Sequence, residues 1–88
     1  MRYEANLSRE AAKNLDRLDR ATPARIHERL DQLRENPRDP RISKQLKGVL
    51  GLRSSRVGGW RILYAVNDEA KLIFIVAIRP RGEAYRDL

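Results

Sequence analysis

Eighty-eight residues with 41% hydrophobic content are enough for one small globular domain spanning 1–88, but not for a thick core. A chain of this size buries only about 60% of its unfolded surface, so a partner would add to its stability. A charged fraction of 35% and a net charge of +7 point to polyanions: RNA, DNA, an acidic protein or an anionic membrane surface. The absence of cysteine excludes a disulfide framework and thiolate metal sites, and one histidine cannot build a zinc site alone. No apolar run approaches the length of about 18 residues that a membrane-spanning helix needs. The first residues, MRYEANLSREAAKN, lack the apolar centre of a signal peptide. The expectation is a soluble cytoplasmic protein with no cofactor and no metal.

Arg2 to Leu7 alternates weakly and reads as a short first strand. Ser8 is a candidate N-cap, with Glu10 in the first helical turn where the helix dipole favours an anion. Ala11, Leu15 and Leu18 form one apolar stripe of a helix running to about Arg20. Thr22-Pro23 starts a second helix, with threonine as N-cap and proline at the first helical position. Ile26, Leu30 and Leu33 repeat the stripe, and Asn36-Pro37 ends it, because a residue before proline is pushed out of the helical region. So short a connection predicts a helical hairpin with both stripes on one core.

Residues 36–47 are polar and carry two prolines, which predicts a connecting loop. Three strand-like runs follow: Val49 to Val57, Trp60 to Asn67 and Leu72 to Arg79. Gly58-Gly59 is a two-residue hairpin signal, and residues 67–70 form a looser turn. The order is β-α-α-β-β-β in an α+β domain, an antiparallel sheet with the N-terminal helical hairpin on one face. In the second of these runs Trp60, Ile62, Tyr64 and Val66 share one side, while Leu63 and Ala65 share the other with Arg61. In the last run Ile73, Ile75 and Ala77 share a side with Arg79. Antiparallel pairing then allows Arg61 and Arg79 a common face at one end of the sheet.

The chemistry concentrates in the second half. Residues 41–67 hold Arg41, Lys44, Lys47, Arg53, Arg56 and Arg61 and no acidic residue. Arg79, Arg81 and Tyr85 follow in IRPRGEAY. Guanidinium groups stay protonated and can bond two phosphate oxygens at once, which suits a transition state that gathers negative charge on phosphorus oxygens. RNA carries its own nucleophile, the 2′-OH, so a site without a histidine pair or paired carboxylates can still act on a phosphodiester. A tyrosine beside arginines could move a proton or stack on a base. The arginines of the two helices, by contrast, alternate with acids and read as a solvated face. His27 reads as a surface residue, and Trp60 and Tyr64 as core.

LKG (Leu46 to Gly48), RVGGWRILY (Arg56 to Tyr64) and IRPRGEAY (Ile78 to Tyr85), in this element order, resemble the RelE/ParE superfamily of type II toxin–antitoxin toxins. The resemblance covers essentially the whole chain. Its tail, an arginine followed six residues later by a tyrosine, looks more like the RelE branch, which cuts mRNA in the ribosomal A site. It implies a metal-independent, ribosome-dependent endoribonuclease with Arg61, Arg79 and Tyr85 catalytic. Lys47, Arg53, Arg56 and Arg81 are then the RNA-binding residues. It also implies a cognate antitoxin, acidic against the +7 charge, held in a hetero-oligomer. Where RelE has two lysines on the strand before the glycine turn, this chain has Leu52 and Ser54, so the general base has no assigned residue. Two other readings stay open: a ParE-like DNA gyrase inhibitor without nuclease activity, and an inactive homologue that binds RNA or antitoxin.

Overall fold

A computed structural model of the chain describes residues 2–18, 21–46, 48 and 51–80. The elements are β1 (Glu4–Leu7), α1 (Arg9–Asp16), α2 (Thr22–Glu35), β2 (Lys44–Gln45), β3 (Arg53–Val57), β4 (Trp60–Asn67) and β5 (Leu72–Pro80). The five strands form one sheet in the order β1-β5-β4-β3-β2. The α+β architecture read from the sequence is therefore present, with two additions.

The sheet is mixed. β1 runs parallel to β5, whereas β2–β3, β3–β4 and β4–β5 are antiparallel. Tight turns tie β3 to β4 and β4 to β5, which fixes those pairs antiparallel. No turn ties β1 to its neighbour. It joins the free edge of β5 after a long crossover through both helices, and side-chain periodicity carries no information about that choice. The second addition is β2, inside the stretch expected to be a loop. Of the run expected from Val49, Val49 and Leu50 lie outside the described residues; Gly51 holds φ +82 in a turn, Leu46 N–H bonds Leu52 C=O at 3.1 Å, and β3 begins at Arg53.

Ser8 caps α1 as expected: its hydroxyl accepts from Ala11 N–H at 2.9 Å and donates to Val76 C=O at 2.5 Å. That one side chain thus closes the helix end and fastens it to β5. α1 ends at Asp16, short of Arg20. Thr22 lies inside α2 rather than capping it; Ala21 holds the cap position, without a side-chain bond. The stripes converge as predicted, with Ala11 from α1 and Ile26, Leu30 and Leu33 from α2 in one cluster with Val57, Ile62, Tyr64, Ile73, Ile75 and Ile78. A smaller cluster, Leu46, Leu63 and Ala77, occupies the opposite face.

A bulge decides which β5 residues reach which face. Leu63 pairs with Ala77 but Tyr64 pairs with Ile75, so the β5 strand carries one extra residue there. Strict alternation put Ile73, Ile75, Ala77 and Arg79 on one side. The extra residue instead sends Ile73 and Ile75 to the helix side, and Ala77 and Arg79 to the far side.

Candidate phosphate-binding site

The β-ladder sets the site. Arg56 pairs with Arg61, and Arg61 pairs with Arg79. Residues directly opposite on adjacent strands have Cβ atoms about 4.5–5.5 Å apart and project to the same face. Arg61 and Arg79 therefore converge as the sequence predicted, and Arg56 extends them to a three-strand row. The row lies on the face away from the helices, since Ile62 and Ile78, the neighbours of Arg61 and Arg79, are in the helix-side core. Like charges placed directly opposite repel.

The three arginines are held differently. Arg79 Nε lies 2.9 Å from Glu10 Oε2, which reaches it from α1. The Arg79 guanidinium is thus partly balanced within the molecule. Arg56 Nε donates to Gly58 C=O at 3.2 Å, a neutral acceptor that aims the group without neutralising it. Arg61 lines the cavity that opens beside the row.

That cavity, of about 490 Å³, lies at the edge of β3 beyond the short β2. Its walls are Arg29 from α2, residues 40–44, and Ser54, Arg56, Gly58 and Arg61, with no carboxylate among them. Arg29 spans from helix to strand: one terminal nitrogen donates to Ser55 Oγ at 2.9 Å and to Arg56 C=O at 2.6 Å, while Nε donates to Gln32 Oε1 at 2.8 Å. All three acceptors are neutral. Gly58, at φ +59, is the hairpin glycine that needs the left-handed region; a Cβ there would also meet the Arg25 guanidinium at 3.1 Å. Lys44 is the cross-strand partner of Ser54, on the side of the sheet that carries Arg56.

The remaining candidates separate from this group. Arg53 pairs with Tyr64, so it points to the other face, where Nε donates to Ser43 Oγ at 2.7 Å. Strand parity thus places it on the face opposite to Arg56, where it lines a separate cavity. Ser43 in turn bonds the Tyr64 hydroxyl, which donates to Pro37 C=O at 2.6 Å. Tyr64 is fully buried, and burial pushes its phenol up, with the Ser43 bond and Arg53 pulling the other way. It braces the 37–43 segment and is core, as expected. Arg41 lines the cavity but is bound at 2.8 and 3.1 Å to Asp39, whose carboxyl its guanidinium lowers to about 2. Lys47, Arg81 and Tyr85 lie outside the described residues.

Sequence reading missed Arg29 and passed over Lys44 as a site residue. Arg29 had a signal: it falls three residues after Ile26 and four before Leu33, on the flank of the buried stripe, where a long side chain reaches the sheet. Lys44 was marked only as a member of the acid-free stretch, because a two-residue strand shows no period that would place it on a face.

Known proteins are similar to this chain in fold and in sequence. Residues 5–85 match the model of the ParE toxin of the type II toxin–antitoxin system parDE. The chain belongs to the RelE/ParE toxin superfamily. A Mycobacterium tuberculosis protein named toxin RelE is 33% identical over 86 residues, covering 96% of this chain and 87% of its own. Among solved structures, the archaeal RelE–RelB complex from Pyrococcus horikoshii matches with TM-score 0.79 and 31% identity, over 96% of this chain and all of that one. The RelBE2 toxin–antitoxin complex of M. tuberculosis matches with TM-score 0.81 and 28% identity, over 92% and 100%. Among the described residues no helix is long and apolar enough to cross a membrane, and no cluster of His, Cys, Asp or Glu could hold a metal ion.

Proposed function

We propose that this toxin is a ribosome-dependent endoribonuclease that cuts mRNA and so blocks translation in the cytoplasm. The observation that carries the reading is the row Arg56–Arg61–Arg79 beside a cavity with no lining carboxylate. In the reaction the 2′-oxygen attacks the adjacent phosphorus and the bond to the 5′-oxygen breaks. The products are a 2′,3′-cyclic phosphate and a 5′-OH. Arg61 and Arg79 hold the non-bridging oxygens as charge builds there, an effect of about 10²–10³-fold per donor in comparable sites. Arg56 binds the RNA backbone, and so would Lys47 and Arg81. Tyr85 moves a proton at the attacking or leaving oxygen, for roughly 10²–10⁴-fold. With Leu52 just before β3 and Ser54 on it, no strong base is assigned, and geometry carries more of the rate. A ribosome that holds the 2′-OH in line can supply up to about 7–11 kcal/mol of the barrier. Free RNA is then a poor substrate.

Both of the solved relatives named above are complexes of toxin with antitoxin. By likeness to them, a cognate antitoxin, acidic enough to match a +7 chain, binds this protein in a hetero-oligomer and covers the basic row. The family description favours one other reading, inhibition of DNA gyrase without nuclease activity, to which Leu52 and Ser54 also lend weight. Purified protein added to translating ribosomes, with primer extension on the mRNA, separates them. A-site cuts that vanish in Arg61→Ala and Tyr85→Phe support the ribonuclease. Intact mRNA together with trapped gyrase–DNA complexes supports the second reading.

A further inference from the structure

The arginine row does not end at β3. Lys44 of β2 pairs with Ser54, and Ser54 is two residues from Arg56 on the same face, so Lys44 is the diagonal neighbour of Arg56, about 7–8 Å away. A cationic track therefore crosses four adjacent strands, from Lys44 through Arg56 and Arg61 to Arg79. Two direct inter-strand spacings of about 4.8 Å and the diagonal step to Lys44 make its path about 17 Å long. At a stacked rise of about 3.4 Å per nucleotide, that length spans roughly five nucleotides. One scissile phosphate cannot occupy it.

The two ends of the track also differ in electrostatics. At the β5 end Arg79 meets Glu10. At the β2 end Arg29 and Arg56 donate only to hydroxyl, amide or carbonyl oxygens, and no carboxylate within the described residues is in ion-pair distance of Arg29, Lys44 or Arg56. Hydrogen bonds to neutral oxygens hold these groups in place and leave their charge for a ligand. Arg41, in the same wall, is spent on Asp39.

From this we infer that the cavity at the β3 edge, with Lys44, Arg29 and Arg56 around it, binds the phosphate of a flanking nucleotide on the same single RNA strand, separate from the phosphate held by Arg61 and Arg79. The inference rests on the ribonuclease reading for the identity of the polyanion. Its role is registration: anchoring a second phosphate fixes where along the strand the scissile bond falls.

The test uses a short single-stranded RNA made uncleavable by 2′-O-methylation, with binding followed by fluorescence anisotropy over a series of salt concentrations. Each phosphate contact on a single strand contributes about −0.7 to the slope of log affinity against log salt. Lys44→Ala is expected to flatten the slope by about 0.7–1 and to weaken binding equally for different sequences. Lys44→Arg should restore it. Lys44 is exposed, so its removal does not threaten folding. Lys13→Ala, on α1 and outside the cavity, should leave the slope unchanged. Arg29→Gln is the second variant, read only if its melting transition matches that of the unaltered protein. An unchanged slope in Lys44→Ala, an equal loss in Lys13→Ala, or no RNA binding by the unaltered protein would each overturn the subsite. Failure of the parent reading looks different: intact mRNA on ribosomes, with the Lys44-dependent slope still present.

Discussion

At the Asp68 corner, Arg38 puts two terminal nitrogens on one carboxylate at 3.0 Å each, and Tyr3 donates to the same group at 2.6 Å. At the β3 edge, Arg29 and Arg56 spend their donors on neutral oxygens. The first arrangement joins the residue before β1, the segment after α2 and the β4–β5 turn, and its charges cancel. The second also holds guanidinium groups through hydrogen bonds but leaves their charge facing a cavity. The partner of an arginine, more than its exposure, tells whether it serves the fold or a ligand. Row member Arg79 is the intermediate case, aimed with the others yet matched to Glu10.

The strongest way to break this contrast is at the centre of the row. Arg61→Ala should lower mRNA cleavage on translating ribosomes by about 10²–10³-fold with little change in the melting transition. Arg61→Lys should fall between the two, since an ammonium keeps the charge but not the planar fork. A second variant probes the wall of the cavity. Tyr64→Phe removes a buried hydroxyl that holds Ser43 and Pro37 C=O, and urea unfolding should show a loss of about 1–3 kcal/mol.

The contrast sharpens if the two arginine classes are swapped as readouts. Arg56→Ala should weaken RNA binding and leave the urea midpoint within experimental scatter. Arg38→Ala should do the reverse, lowering the midpoint and leaving RNA binding unchanged. The smallest effect is one of pH. Asp68 is held at about 2, below its ordinary 3.8, first by its hydrogen bond from Arg38 and then by that from Tyr3. A carboxylate whose folded value is lowered stabilises the fold above the unfolded value and loses that contribution as pH falls through the folded one. The difference in urea midpoint between the unaltered protein and Asp68→Asn should therefore be full above about pH 4 and shrink to nothing toward pH 2.

Residues with a period or a local signature were legible in the sequence. Ile26, Leu30 and Leu33 declared a buried face, Ser8 a cap, Gly58 a hairpin, and strand parity brought Arg61 and Arg79 together. What the sequence hid was non-local. The extra residue on β5 changes which residues share a face, and nothing in LIFIVAIRP marks it. The parallel β1–β5 pair depends on which edge is free once the rest has folded. Arg53 and Arg56 were grouped by charge alone, although three positions along one strand already put them on opposite faces. Arg29 entered the site because a helix stacked over the β3 edge, a contact that spans 27 positions of chain.

The most direct test of the row as the phosphate site is the chemistry of the cut ends. Purified ribosomes translating a defined mRNA would be treated with the unaltered protein and with the variant Arg56→Ala, Arg61→Ala, Arg79→Ala. A-site cuts ending in a 2′,3′-cyclic phosphate with a matching 5′-OH are expected from the first and none from the second. Cuts of equal strength from both proteins, or intact mRNA with the unaltered one, would contradict the assignment.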